Sequence, residues 1–159
     1  MSIQIPNLHT SNPTLVNVRE GATVVIRRRK DALHAGQFTV KGTLKFNPTV
    51  DAYPSGALTI SVDLSDSARG VFIVTTVEQL DTTGKHTPTA YASGRCSIDA
   101  DVKTVGCRYW LMLADNKRAN EKETADVISF LIFDRNGKRV AYGTGPVIKG
   151  DVVITPTAQ

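Results

Sequence analysis

The sequence is poor in the residues that most metal and cofactor sites require. Of its 159 residues only two are cysteines and three are histidines, and the histidines lie in separate polar segments, at His9, His34 and His86. Zinc sites in proteins use three or four Cys, His or carboxylate ligands at short and regular spacings. No such spacing occurs in this chain, so we expect neither a bound metal ion nor a cofactor.

Motifs of catalysis are missing as well. The chain contains no G-x-S-x-G elbow and no H-E-x-x-H pair, which are the signatures of many serine hydrolases and zinc proteases. None of its four glutamates is flanked by apolar residues on both sides, a setting in which burial prepares a carboxyl group for acid–base work. The sequence therefore predicts a protein that is not an enzyme.

Long apolar runs and targeting segments are not found either. No run approaches the roughly 18 apolar residues of a membrane-spanning helix, so we expect no membrane span. Residues 1–16, MSIQIPNLHTSNPTLV, contain neither the basic region nor the apolar core of a secretory signal peptide. This predicts a location in the cytoplasm or in a virion.

The two cysteines, Cys96 and Cys107, are too few for a disulfide scaffold. They can form a disulfide if they face each other across a hairpin. In a protein without a signal peptide, however, we favour two free thiols that are buried and behave as small apolar side chains.

Composition is otherwise that of an ordinary globular domain, with 41% hydrophobic and 21% charged residues. A chain of 159 residues fits one domain and buries roughly 70% of its unfolded surface, so a core can form without disulfides or metal. The formal net charge is +4. This mild basic excess favours anionic partners without identifying one.

Hydrophobic and polar residues alternate along most of the chain with a period of two, which is typical of half-buried β-strands. In residues 36–46, GQFTVKGTLKF, the phenylalanines, Val40 and Leu44 point to one side, and the lysines and threonines point to the other. Residues 57–64 repeat the pattern. Both segments are therefore predicted to be antiparallel strands with one buried face.

Three further runs, residues 69–80, 107–115 and 125–134, are apolar on both sides. Such runs are either central strands that are covered on two sides or surfaces that meet another subunit. Asn136-Gly137 predicts a hairpin turn with positive φ angles. We therefore predict an all-β protein, an antiparallel and jelly-roll-like β-sandwich of about eight to ten strands, with helix well below the usual third of residues.

Residues 1–13 stand apart from this pattern. Ile3, Ile5 and Leu8 are apolar but have no evident place in a compact core. We interpret residues 1–13 as an N-terminal arm and residues 14–159 as a single sandwich domain. An arm with alternating apolar residues can add as a strand to a neighbouring sheet, which makes Ile3, Ile5 and Leu8 candidate oligomer contacts.

A block of positive charge, RRRK at residues 27–30, directly follows an apolar strand. The simpler interpretation is a solvated strand end, where basic side chains also discourage association of sheet edges. The alternative is a site for nucleic acid or another polyanion, which requires further basic residues to converge on the block. Two lysines on the wet face of the next strand offer this convergence. The candidate anion contacts are Arg27, Arg28, Arg29, Lys30, Lys41 and Lys45.

Three weaker patterns have simple explanations. Asp99 and Asp101 are expected to form turns rather than to bind calcium. The glycines of residues 142–151, YGTGPVIKGD, are expected at a bulge or tight corner, because a strand rather than a helix follows them. Tyr109 and Trp110 lie on opposite faces of one strand. One of the two is therefore a candidate stacking platform, while most other aromatic residues are expected in the core.

These observations favour a structural role. We expect a non-enzymatic protein that acts through self-association, as a subunit of a homo-oligomer, shell or filament, with a viral or phage coat or decoration protein as the most concrete version. The alternative is a ligand-binding sandwich or barrel for a carbohydrate or a small apolar molecule. A large contiguous apolar patch would favour assembly, whereas an exposed aromatic strip or a lined cavity would favour the ligand-binding module.

Overall fold

The structure, a computed structural model, describes residues 13–30, 33–84, 87–99, 106–116 and 124–156. Ten β-strands and no helix occur in these ranges, and all strand pairings are antiparallel. This confirms the predicted all-β, antiparallel class and the number of strands. Within the described residues there is no helix that could cross a membrane. The strands are β1 (Thr14–Ile26), β2 (Gly36–Phe46), β3 (Ser55–Leu64), β4 (Gly70–Val74), β5 (Gln79–Thr83), β6 (Thr89–Asp99), β7 (Gly106–Ala114), β8 (Val127–Phe133), β9 (Arg139–Gly150) and β10 (Val153–Pro156).

The strands form one sheet that closes on itself. Its order is β1-β2-β3-β4-β6-β7-β8-β9, and β9 pairs again with β1. The two remaining strands are short extensions, since β5 pairs with the first half of β6 and β10 pairs with the first half of β1. The predicted jelly-roll-like sandwich is therefore corrected to an eight-stranded barrel. The alternation of apolar and polar residues along the strands is the same in a sandwich and in a barrel. Only the pairing of β1 with β9 distinguishes the two folds.

A bulge in β1 makes this closure possible. The register of β1 against β2 shifts between Val18 and Ala22, and Gly21 within the bulge has a φ of +88°. Before the bulge β1 pairs with β10, and after it β1 pairs with β9. A glycine bulge bends a strand and re-aims its edge, so one long strand can close the barrel with two successive partners.

Side chains fill the interior of the barrel. Phe38, Phe72 and Phe130 are among the largest fully buried residues, and the rings of Phe38 and Phe130 meet edge to face with centroids 4.7 Å apart. The alternating residues of β2 and β3 point inward as predicted, for example Val40 and Leu58. An eight-stranded barrel is just wide enough for side chains to fill it or to hold one small ligand. In this barrel, side chains fill the interior.

Cys96 and Cys107 form a disulfide, so the favoured interpretation as free thiols is wrong. The two residues are direct partners in the register of β6 and β7, with Cα atoms 4.9 Å apart, and both face the core. Their sequence separation of 11 residues is compatible with many registers. Only the register seen here, which depends on packing along the whole hairpin, places the two thiols opposite each other.

The turn between β8 and β9 contains the expected glycine conformation. Gly137 has a φ of +80°, and its N–H donates to the Asp134 carbonyl at 3.0 Å. Asn136 does not have a positive φ. The predicted pair of positive φ angles is therefore corrected to one, because Asp134 Oδ1 accepts the N–H groups of Asn136 and Lys138 and stabilises a longer turn.

Two carboxylates accept backbone hydrogen bonds at the end of the barrel opposite the β8–β9 turn. Asp126 is 3% exposed and accepts the N–H of Asn116 through Oδ1 and that of Val152 through Oδ2, both at 3.0 Å. Asp115 Oδ2 accepts the N–H of Ile154 at 3.0 Å. These bonds join the chain after β7 to the corner between β9 and β10, since buried N–H groups require acceptors.

Replacing Asp115 with asparagine should make stability less dependent on pH. Burial raises the pKa of the Asp115 carboxyl; the Ile154 N–H bond opposes this shift, and the negative charge of Asp126 adds to it. The folded state thus holds the proton more tightly than the unfolded state, so stability falls as the pH rises from about 4 through the folded pKa. Asparagine keeps an acceptor for Ile154 without the charge. Asp115→Asn should therefore lose this dependence and remain within about 1 kcal/mol of the parent at neutral pH.

Urea unfolding at a series of pH values measures this effect. Asp51→Asn is the matched control, because Asp51 also accepts one backbone N–H, from Asn47 at 2.9 Å, and lies in the loop between β2 and β3. A pH dependence that is unchanged in Asp115→Asn would contradict the expectation.

Candidate functional site: three regions of the barrel surface

The outer surface of the barrel differs from one side to the other. On one side, the outward residues of β2 and β3 are polar or charged, apart from Ala57. Their outward residues include Gln37, Thr39, Lys41, Thr43, Lys45, Thr59, Ser61 and Asp63. This side is an ordinary hydrated surface, and it provides the reference against which the other regions stand out.

The opposite side, formed by β7 and β8, is largely apolar; its outward residues also include Trp110, which pairs with Leu131, and the polar Arg108 and Ser129. Met112, Val127, Leu131 and Phe133 point outward and are partly exposed, while the alternate residues of both strands are buried. We call these four residues the apolar face. The pairing of Met112 with Ser129 makes Leu131 its diagonal neighbour, so the four side chains form one patch. The sequence allowed two explanations for runs that are apolar on both sides, namely strands covered on two sides or surfaces that meet another subunit. No part of the described chain covers this outer face.

The predicted basic patch is divided by the structure. Arg27, Arg28, Arg29 and Lys30 are exposed and directly follow β1, where Ile26 pairs with Gly36. Strand β2 then runs away from this end of the barrel. At about 3.3 Å per residue, Lys41 lies about 17 Å and Lys45 about 30 Å further along the strand. The two lysines are on the outer surface, as predicted, but they do not join the arginine block.

Other basic residues join it instead. The β3–β4 loop and the β8–β9 turn lie at the same end of the barrel, and the Ala68 N–H donates to the Val140 carbonyl across it at 2.8 Å. All basic residues of these segments are exposed. We call the resulting group the basic end; its members are Arg27, Arg28, Arg29, Lys30, Arg69, Arg135, Lys138 and Arg139.

Three aspartates near the basic end, all in the described part of the chain, already have partners. Asp63 pairs with Arg69 at 3.5 Å, and Asp134 accepts the backbone N–H groups of its turn. Asp66 pairs with His34 Nδ1 and accepts the Tyr142 hydroxyl at 3.1 Å. Eight exposed cations therefore face these three carboxylates. The sequence did not reveal this cluster because its three segments are far apart in the chain and meet only through the barrel topology.

A ring stack holds the loops of the basic end together. The rings of His34 and Tyr142 are parallel, with centroids 4.1 Å apart, and the Arg139 guanidinium lies 4.0 Å from the centre of the Tyr142 ring. The hydrogen bond with His34 lowers the pKa of Asp66, and burial, followed by the bond to Asp66, raises that of Tyr142. The cluster joins the β1–β2 and β3–β4 loops to the start of β9, which restrains the cations around it.

The third region is a groove beside Trp110. Tyr109 points inward, is 3% exposed and donates its hydroxyl hydrogen to the Thr76 carbonyl at 3.0 Å, whereas Trp110 points outward and is 37% exposed. Ser93 pairs with Trp110, and Tyr91 is therefore its diagonal neighbour on β6. The two ring centroids are 6.2 Å apart. Trp110 is thus the exposed member of the Tyr109–Trp110 pair.

Strand β5 supplies the other side of this groove. Gln79, Asp81 and Thr83 line it together with Tyr91, Ser93 and Trp110, and its volume is about 390 Å³. We call it the aromatic groove. The sequence indicated Trp110 but not Tyr91, because the two meet only in this hairpin register. The period-two position of Tyr91 in residues 89–99 was the available signal.

The remaining candidates do not assemble a site. No group of three metal-ligating side chains occurs among the residues that the structure describes. Gly150, with a φ of +91°, ends β9 and forms the corner before β10, as the glycine-rich segment predicted. Other predictions concern residues or side chains outside the described part of the chain; these are Ile3, Ile5, Leu8, His9, His86, Asp99 and Asp101.

Comparisons with known proteins do not assign any of the three regions. No protein-family model, no curated protein and no solved structure matches the chain. Function is therefore inferred from the geometry of the described residues.

Proposed function

We propose that this protein is a non-enzymatic structural subunit that self-associates through the apolar face. The observation that carries the proposal is the contrast between β7–β8 and the polar strands β2–β3 on the same barrel. Apolar side chains grouped on the outside of a filled barrel gain stability only when another surface covers them. The product is a homo-oligomer, a shell or a filament.

The basic end supports a more specific version, a coat or decoration protein of a virus or phage. Eight exposed cations held by three loops form a surface for the phosphate backbone of nucleic acid or for another polyanion. The apolar face covers the side of the barrel and meets the basic end where Phe133 pairs with Arg139. One subunit can therefore contact its neighbours and nucleic acid at the same time.

The disulfide supports a virion rather than the cytoplasm. Disulfides persist in oxidising surroundings, which include the surfaces of virions and cells, and are rare in the reducing cytosol. We propose no metal ion, cofactor or catalytic residue for this function, and the N-terminal arm with Ile3, Ile5 and Leu8 remains a proposed second contact between subunits.

The aromatic groove favours a second candidate function, a ligand-binding module. An exposed tryptophan and a neighbouring tyrosine beside polar side chains are the usual composition of a site for a small polar ligand. The filled interior of the barrel argues against the version in which an apolar molecule binds inside it. A ligand-binding role therefore requires the outer groove.

Replacing Leu131 with aspartate tests the self-association. Covering a leucine contributes roughly 1.5–3 kcal/mol, and a buried unpaired charge opposes association further. We expect the dissociation constant of the oligomer to rise roughly 10- to 100-fold or more. Sedimentation velocity over a range of concentrations measures this change.

Ser61→Asp is the control for this experiment. It adds the same charge at an exposed, outward position on the polar side of the barrel and should leave the oligomer unchanged. A parent protein that is monomeric at all concentrations, or a Leu131→Asp variant that associates as well as the parent, would overturn self-association through the apolar face.

A further inference from the structure

We propose that the aromatic groove binds the bases of a single-stranded nucleic acid whose phosphates also contact the basic end. This inference rests on the nucleic-acid version of the proposed function and extends it, because it adds a second contact region on the wall of the barrel. Three observations carry it: a row of arginines that leads from the basic end to the groove, two aromatic rings beside this row, and the size of the groove.

A row of cross-strand partners connects the basic end with the wall of the barrel. Arg139 of β9 pairs with Phe133 of β8, which also pairs with Arg108 of β7. Arg108 in turn pairs with Arg95 of β6. Neighbouring strands lie about 4.8 Å apart, so the backbones of the three arginines span about 15 Å along the sheet. The positive charge of the basic end therefore continues onto β7 and β6.

Arg95 and Arg108 form a pair of like charges, since they are direct partners on neighbouring strands. Such pairs are destabilising unless counter-charges are present. Glu78 supplies one: its Oε1 lies 3.8 Å from Arg95 Nε, and its Oε2 accepts from Arg108 Nη2 at 2.6 Å. One carboxylate compensates one of the two charges, and both arginine side chains remain more than half exposed. The pair thus keeps one net positive charge and accessible N–H groups, which suit a phosphate.

Two aromatic rings lie on the same outer face as the arginine pair. Trp110 is two residues after Arg108 on β7, and Tyr91 is four residues before Arg95 on β6, so all four side chains point outward. The two ring centroids are 6.2 Å apart, and Trp110 is 37% exposed. Proteins that bind single strands combine such rings, on which bases stack, with basic residues that hold the neighbouring phosphates. Arg108 is about 7 Å from Trp110 along the strand, which is about the length of one extended nucleotide.

The carboxylate of the groove lies away from these arginines. Asp81 pairs with Tyr91, which is four residues and thus about 13 Å from Arg95 along β6. Salt screens exposed charges beyond about 8 Å at physiological ionic strength, so Asp81 does not cancel the charge of the arginine pair. A strand whose phosphates lie at the arginines therefore avoids the acidic end of the groove.

The size of the groove selects single strands. Its volume of about 390 Å³ is near the lower limit for small-molecule sites, roughly 300–1,000 Å³, which is enough for one or two bases. Bases inside a duplex are stacked on each other and expose only their edges, whereas unpaired bases can turn a face to an aromatic side chain. A duplex can therefore contact the basic end but cannot stack on Trp110.

Trp110 makes the test direct, because it is the one tryptophan in the chain. The full-length protein is titrated at low salt with a single-stranded oligothymidylate, with an abasic oligomer of the same length, and with a duplex. Anisotropy of labelled ligands measures binding, and tryptophan emission with unlabelled ligands reports stacking. We expect oligothymidylate to quench the emission with the Kd that anisotropy gives. The abasic oligomer should bind at least fivefold more weakly, and neither it nor the duplex should quench.

Variants of the two rings locate the bases. Trp110→Ala and Tyr91→Ala each remove one stacking surface and should raise the anisotropy Kd for oligothymidylate about fivefold or more. The Kd for the abasic oligomer should stay the same, because the phosphate contacts are kept. Urea unfolding confirms that each variant is folded, and Tyr91→Ala serves if Trp110→Ala is not.

A double variant of the arginine pair locates the phosphates. Arg95→Gln with Arg108→Gln should make the dependence of log K on log salt shallower by about 1, because two phosphate contacts are lost. Lys41→Gln with Lys45→Gln is the matched control. It removes the same charge from exposed positions on the polar side of the barrel and should leave the slope nearly unchanged.

Three results would overturn the proposal: binding in anisotropy without a change in Trp110 emission, equal affinity for the abasic oligomer, or a Kd unchanged in both Trp110→Ala and Tyr91→Ala. The first result, in a protein whose affinity still depends on Arg27, Arg28 and Arg29, would leave the nucleic-acid version of the proposed function intact, with the strand at the basic end alone. Absence of any binding would end both. Sedimentation velocity without nucleic acid measures self-association independently of these outcomes.

Discussion

Replacing Arg27, Arg28 and Arg29 together with glutamate should weaken the binding of single-stranded nucleic acid by about two orders of magnitude at low salt. These arginines are three of the eight cations of the basic end, and each phosphate contact releases condensed counterions. With a slope of about −0.7 per contact for single strands, the loss of three contacts should also make the dependence of log K on log salt shallower by about 2. Fluorescence anisotropy of a labelled oligonucleotide at several salt concentrations measures both quantities.

A matched triple variant distinguishes the contribution of the basic end to nucleic-acid binding from that of the net charge. Arg19→Glu, Lys41→Glu and Lys45→Glu reverse three charges that lie along β1 and β2, away from the basic end. This protein has the same net charge as the first variant but should retain most of the affinity. Equal losses in the two proteins would show that only net charge matters, and no binding by the parent would remove nucleic acid from the proposed function.

Replacing Asp126 with alanine should destabilise the barrel by about 2–5 kcal/mol, because one buried and one partly buried N–H group lose their acceptor and each unsatisfied group costs roughly 1–3 kcal/mol. The affected donors are the N–H groups of Asn116 and Val152. A lower urea midpoint with an unchanged m-value is the expected signature.

Asp134→Ala is the control for burial. Asp134 also accepts two backbone N–H groups, from Asn136 and Lys138, but in an exposed turn, where water can replace the carboxylate. We expect a loss of about 1 kcal/mol or less. If the two variants lose equal stability, the number of hydrogen bonds rather than their burial determines the effect.

Local properties of the fold were predictable from the sequence. The alternation of apolar residues in 36–46 and 57–64 identified two strands and their buried sides, and Gly137 was correctly expected at a positive φ. These features depend on residues close together in the chain. A period of two is a direct consequence of strand geometry, so the sequence pattern contains it.

Properties that depend on register or on distant pairing were not predictable in the same way. The Cys96–Cys107 disulfide and the contact between Tyr91 and Trp110 both require one particular alignment of β6 and β7. Many alignments satisfy the same hydrophobic pattern locally, and the core as a whole selects one. The basic end depends on pairing between strands that are still further apart in the chain, because Arg29 and Arg139 come together only when the sheet closes into a ring.

The closed ring also has a consequence for the order of folding. Ala22 of β1 pairs with Gly150 of β9, so the two sides of the seam are more than a hundred residues apart in the chain. During synthesis β1 appears first, and its outer edge has no partner until β9 and β10 have been made. Contacts between such distant segments form slowly, and an open strand edge can pair with another molecule. The seam is therefore the place where two nascent chains can exchange strands before each has closed on itself.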